Sequence, residues 1–205
     1  PLLDFTAPMD DTYLLRVHDF TFSGGTHYPY RLSASDAPHI DFIDPPAGPA
    51  GTTGKFRVYG RNLPGGSTGE GVRLGTEELE SIEVDITLKE DQTTQLGPGS
   101  VHASLVSGMN WSLEANGRKS NPVRIGFSLD PITRGEEGQE LNLEIPGEVH
   151  ARFDTKGDLD HYRFEAQQGQ PLWIECLASR IRTGSDPVMW IDHITTDENG
   201  NERFK

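Results

Sequence analysis

Apolar and polar residues alternate along this chain in short runs, and short polar turns separate the runs. A period of two puts successive side chains on opposite faces of an extended backbone, so each run predicts a half-buried strand. No window carries the stripe of apolar residues that an amphipathic helix needs. The clearest stretch is Ile145 to Asn201. There Val149, Ala151 and Phe153 alternate with His150 and Arg152, and Tyr162 and Phe164 with Arg163 and Glu165. Leu172, Ile174 and Cys176 then alternate with Trp173, Glu175 and Leu177. DTKGD at 154–158 and QQGQ at 167–170 supply the turns. Three such runs in succession predict an antiparallel sheet with one face on a core.

The pattern extends over the rest of the chain. Tyr13, Leu15 and Val17 alternate with Leu14, Arg16 and His18; a loop with Gly24 and Gly25 follows; Tyr28, Tyr30 and Leu32 alternate with Pro29 and Arg31. This predicts a hairpin. Two strands alone are marginal in water, so it should belong to a larger sheet. After a linker at 35–38, further runs fall at His39–Asp44, Lys55–Tyr59, Val72–Gly75, Ile82–Leu88, Val101–Val106 and Val123–Phe127. About seven short strands in roughly ninety residues fit an immunoglobulin-like sandwich. Asp130-Pro131 and the polar GEEGQ at 135–139 mark a second boundary. The 23 glycines and 14 prolines suit a chain of many turns.

Two families are resembled. Pro146-Gly147-Glu148-Val149, then Gly157-Asp158-Leu159-Asp160-His161-Tyr162-Arg163-Phe164, Gly169-Gln170-Pro171-Leu172 and Ser185-Asp186-Pro187-Val188 resemble the bacterial pre-peptidase C-terminal (PPC) domain. The run Ala7 to Asp19, with Tyr28-Pro29-Tyr30-Arg31-Leu32, resembles the closing segment of such a domain, although Asp11 stands where glycine is common. Between them, the segment from Pro38 to Gly66, with Gly60-Arg61-Asn62-Leu63, resembles the opening of an immunoglobulin-like TIG (IPT) domain. It lacks the disulfide of antibody domains, and Trp111 is expected to fill part of its core. The resemblance implies an all-β chain of antiparallel β-sandwiches: 1–35, the C-terminal strands of a PPC-like sandwich; 36–130, an Ig-like domain; 131–205, the N-terminal part of a second, jelly-roll-like PPC sandwich. PPC domains are accessory modules of secreted or surface proteins without an active site, and some bind calcium or a polymeric substrate.

Half a sandwich leaves an apolar face and a strand edge open. The two halves could close on each other within one chain, or pair head to tail between copies, which gives a swapped dimer or a fibre. Alternatively, the chain is an excerpt of a longer tandem array whose other strands complete them.

The formal net charge of −14 repels nucleic acid and anionic membranes; it favours divalent cations or basic surfaces, and it equally reads as the solvated acidic surface of a secreted protein. No apolar run is long enough to span a bilayer and no signal peptide is present, so the chain reads as a piece of a longer secreted or cell-surface protein. The one cysteine, Cys176, excludes an internal disulfide and a multi-cysteine zinc site. Its place in an alternating run predicts a small core residue.

Catalytic signatures are missing from the sequence. GPAGTTGK at 48–55 fails as a phosphate-binding loop, because Pro49 stands where the first glycine is needed and Phe56 replaces the magnesium-binding hydroxyl. The seven histidines match no metalloprotease spacing, and no Gly-x-Ser-x-Gly elbow occurs. Asp154, Asp158 and Asp160 bracket a glycine turn, and the resemblance places Asp186 near the same end of the sandwich. Loops joining strands can supply the six to eight oxygens that calcium takes, so these four are calcium candidates. Asp and Gly are also ordinary turn formers. Asp192, Asp197 and Glu198 with Asn199-Gly200 read as a hairpin turn. Trp173 and Trp190 are candidates for carbohydrate or protein contact, or for packing on a neighbouring domain.

The expected function is therefore non-catalytic: spacing, adhesion or self-assembly through strand complementation. Its partners would be neighbouring domains, other copies, or an extracellular polysaccharide or matrix. The rival is an accessory substrate-binding or folding module of a secreted hydrolase whose protease or glycosidase domain lies outside this chain.

Overall fold

The computed structural model describes residues 3, 5–69, 71–75, 77–89, 107–136, 138–179 and 183–204. Among them the fold is mostly β, with no helical element, and consists of several small sheets, mostly antiparallel and none closed. Contacts divide the chain into two units, Pro1–Ser35 and Asp36–Lys205. The expected strand Val101–Val106 lies outside the described residues.

The second unit begins with β1 (His39–Asp44), β2 (Ala47–Pro49), β3 (Thr53–Arg61), β4 (Arg73–Leu74), β5 (Glu77–Glu78) and β6 (Glu80–Thr87). It continues with β7 (Gly108–Trp111), β8 (Glu114–Ala115), β9 (Arg118–Lys119) and β10 (Val123–Ser128). Two three-stranded sheets, β1-β3-β6 and β2-β10-β7, contribute to one buried cluster of Ile40, Ile43, Phe56, Val58, Leu63, Ile86, Leu88, Met109, Val123 and Ile125. The alternating runs supply it: Phe56 and Val58 face inward from β3, Val123 and Ile125 from β10. Each such side chain contributes about 1.5–3 kcal/mol on burial. Trp111 packs half-buried against the cluster, as expected. On the outer face, Lys55 of β3 meets Glu83 of β6 at 2.7 Å, and Thr53 meets Thr87 at 2.8 Å.

The Gly60-Arg61-Asn62-Leu63 segment has a local explanation. The β1–β3 register shifts between Ile40 and Phe42, and the strands come so close there that a Cβ on Gly60 would overlap the His39 carbonyl oxygen. Asn62 takes a left-handed φ of 52°. Leu63 N–H then donates to Glu80 Oε2 at 2.7 Å, which ties the turn to β6.

After β10 come β11 (Ile132–Arg134), β12 (Leu141–Asn142), β13 (Glu148–His150), β14 (Tyr162–Arg163), β15 (Ile194–Thr196) and β16 (Glu202–Phe204). Here the structure departs from the expected antiparallel succession. β13 pairs in parallel with β11, and β14 in parallel with β12, so each draws its neighbour from the preceding residues 132–142. The run 172–177 forms no ladder. The face expected inward is reversed in 149–153: His150 is buried, while Ala151 and Phe153 are exposed. The Asn199-Gly200 turn does join a hairpin, β15–β16, with Gly200 at a φ of 84°.

In the first unit, residues 3 and 5–35 contain no strand and all are exposed, so the expected 13–32 hairpin has no ladder. Its order is local. Asp19 Oδ1 accepts hydrogen bonds from the N–H groups of Thr21 and Ser23, both at 3.0 Å, and the Phe5 and Tyr13 rings meet edge to face at 5.0 Å. An isolated strand pair buries too little apolar surface to offset the backbone entropy it loses.

Candidate functional site

The carboxylates singled out by sequence lie around the 154–158 turn. Gly157, at a φ of 86°, allows the reversal, and Asp158 Oδ2 accepts the Asp154 N–H at 2.8 Å. Asp158 thus closes the turn. Asp154 Oδ1 is 2.6 Å from Arg152 Nε, in an ion pair that raises the Arg152 pKa. Asp160 is half-buried; desolvation, then the nearby Asp158 charge, lifts its carboxyl above the ordinary range. Tyr162, hydrogen-bonded to Asp160, is pushed up to about 12 by burial first and the Asp160 charge second.

Asp154 and Asp160 line a cleft of about 140 Å³ together with Asp44, Arg134, His150 and Arg152. Its charges are largely paired. Arg134 lies 3.9 Å from Asp44 and Arg152 lies against Asp154. A second cleft, of about 190 Å³, opens between Pro38, Asn62, Pro64, Asn116 and the Asp36–Arg118 ion pair. Both are smaller than the roughly 300–1,000 Å³ of a small-molecule pocket. The structure brings Asp154, Asp158 and Asp160 into one loop and leaves Asp186 exposed in another. Among the described residues, no group of three or more His, Cys, Asp or Glu is placed to hold a metal ion.

Two features escaped the sequence reading. Glu148 Oε1 accepts the Ser128 hydroxyl at 3.0 Å and lies 2.6 Å from His150 Nε2. Both groups use the same carboxylate oxygen, which differs from a nucleophile triad, where the base holds the hydroxyl and the acid holds the base. The only signal was Glu and His two apart in one strand. Arg163 is the second feature: its Nε meets Glu140 at 2.7 Å, and its terminal nitrogens meet Glu202 at 2.9 and 3.0 Å. Both carboxyls are held below their usual range by that guanidinium.

Cys176 corrects an expectation: it is exposed. Burial requires a layer over the face, and the run 172–177 has no ladder neighbour among the described residues. Trp173 and Trp190 are 89% and 61% exposed, with Val188, Met189 and Ile191 exposed beside Trp190 in sequence. Among the described residues no helix is long and apolar enough to cross a membrane. No protein-family model, no curated protein and no solved structure matches the chain.

Proposed function

We propose that the chain is a non-catalytic segment of a tandem β-sandwich array on an extracellular or cell-surface protein. An Ig-like sandwich at 36–130 is flanked by partial PPC-like sandwiches at 1–35 and 131–205, and the segment works as a spacer or adhesive module. The partial sandwiches are completed by strands from outside the single chain, another copy being one source.

The observation that carries this reading is the uneven distribution of apolar burial. The buried cluster runs from Ile40 to Ile125, whereas twelve large apolar side chains from Leu3 to Leu32 are 45–93% exposed. At roughly 150–250 Å² per aromatic side chain, the six aromatic ones among them expose on the order of 600–1,000 Å² in total. Phe153, Ile174, Val188, Trp190 and Phe204 repeat the situation in the C-terminal part. Such surfaces call for a cover.

The exposed indoles of Trp173 and Trp190 favour one second reading, an accessory substrate-binding module of a secreted hydrolase. The test is light scattering of residues 1–205 across protein concentrations, combined with the sequence on either side in the parent gene. Concentration-dependent dimers or fibres support completion between copies. A compact monomer that binds no apolar dye sinks completion from outside. A protease or glycosidase domain on the same polypeptide sinks the purely structural role in favour of the accessory one.

A further inference from the structure

Ser128 is the last residue of β10, and only Leu129 and Asp130 separate it from Pro131, where the next segment begins. Leu129 is 86% exposed, so the link itself is not packed. Yet the ladder that follows is tied closely. Glu148 N–H donates to the Pro131 carbonyl at 2.9 Å, and Gly135 N–H to the His150 carbonyl at 3.0 Å. The side chains of Glu148 and His150, two apart in β13, share one strand face. Glu148 Oε1 accepts the Ser128 hydroxyl while it holds His150 Nε2, and Ser128 and His150 are each 8% exposed.

We infer that Ser128, Glu148 and His150 form a polar clamp that holds the β11–β13 ladder onto the end of the core sheet, so that the link at 129–130 is a fixed joint. Apolar contact alone would permit sliding. Two directional bonds converging on one half-buried carboxylate oxygen specify a single arrangement, and the charge makes both stronger than neutral ones. Arg134 of β11 also lies 3.9 Å from Asp44 of β1, an exposed ion pair that adds little to the joint. The clamp supplies stiffness to a spacer, and that use of it rests on the reading above.

Amide hydrogen exchange on the full chain tests it. In Glu148→Ala, exchange at the Glu148-position and Gly135 amides should rise about tenfold or more, while amides of β3 and β10 keep their rates. Ser128→Ala, which leaves the His150 bond, should give a smaller rise confined to the same amides. Glu148→Gln, which retains an acceptor oxygen, should restore most of the protection. Unchanged rates at the joint in Glu148→Ala overturn the clamp, as does equal acceleration of joint and core in Ser128→Ala. If Glu148→Ala does not fold, Ser128→Ala and Glu148→Gln decide. A catalytic domain found beside the segment would sink the spacer reading and leave these rates as they are.

Discussion

The side-chain amide of Asn121 pairs with the backbone of Ile40 as a neighbouring strand would: its Oδ1 accepts the Ile40 N–H at 2.7 Å and its Nδ2 donates to the Ile40 carbonyl at 2.8 Å. Ile40 is fully buried, so these backbone groups have little access to water. Asn121 therefore binds the start of β1 to the approach to β10, which belongs to the other sheet. Asn121→Ala leaves a donor and an acceptor unsatisfied and should cost about 1–3 kcal/mol per group. Asn121→Asp keeps the acceptor but sets a carboxylate oxygen against the Ile40 carbonyl, so it should be no milder. Urea unfolding checks both. A loss under about 0.5 kcal/mol for the alanine variant would mean that water replaces the amide.

Gly60 lies against β1 beside the register shift, and a methyl group there would collide with the His39 carbonyl oxygen, a backbone atom that cannot swing aside. Gly60→Ala should destabilise the chain by about 1–3 kcal/mol, the range for overpacking. Gly24→Ala, at a position with open space around it, is the control. Equal melting temperatures for the two variants would show that the register shift near Ile40 relaxes freely.

Asp160 and Tyr162 link pH to stability at the alkaline end. The Tyr162 phenol is raised from 10.0 to about 12 by burial and by Asp160. A raised folded value means that stability is complete below the unfolded value near 10 and falls as pH climbs from there toward 12. An absorbance titration should show a phenolate step near 12, and Asp160→Asn, which removes the neighbouring charge, should shift it down. Because desolvation lifts the Asp160 carboxyl, its ionised form is disfavoured in the fold, and the same variant should match or exceed the wild type in stability at pH 7. An unmoved phenolate step would place the cause of the shift elsewhere.

At the acid end the sign reverses. Arg163 depresses Glu140 and Glu202, and Asp197 is depressed chiefly by its hydrogen bond from the Asn201 N–H. Depressed carboxyls contribute fully above their unfolded values of about 4, and that contribution is lost as pH falls through the lower folded values. The β15–β16 hairpin and its tie to β14 should therefore loosen below about pH 4. Backbone amide signals of 194–204 report this, and Arg163→Gln should remove much of the pH dependence. A hairpin equally ordered at pH 7 and pH 2 would contradict it.

Legibility in the sequence followed the presence of a covering layer. β1, β3, β6 and β10 fall on runs that alternate clearly, because one face of each sheet meets the buried cluster. The Asn199-Gly200 hairpin was readable because its turn chemistry is local. Alternation states which residues share a face and not whether that face is covered. Hence Phe153 and Cys176 were expected inward and lie exposed, while His150 is buried with Glu148 as its partner. The parallel partners β11 and β12 are two or three residues long, too short to carry a period, and they flank the polar stretch 135–139 that reads as a boundary. Of the candidate carboxylates, the sequence placed Asp154, Asp158 and Asp160 together correctly as a turn, but it could not reveal that Asp158 closes it or that Arg152 occupies Asp154.

Cys176 offers the most direct probe of what covers the C-terminal part. It carries the chain's single thiol and is exposed, so a maleimide should label dilute native protein within about threefold of the rate in urea. If copies complete each other's sheets, the run 172–177 gains a neighbour as concentration rises, and labelling should slow over the same range in which scattering detects larger species. Trp173, in the same run and 89% exposed, supplies an independent signal, because its emission should shift to the blue as that surface is covered. Labelling protected a hundredfold at every concentration would mean that the run is covered within the single chain. That outcome would sink completion between copies and leave closure in cis.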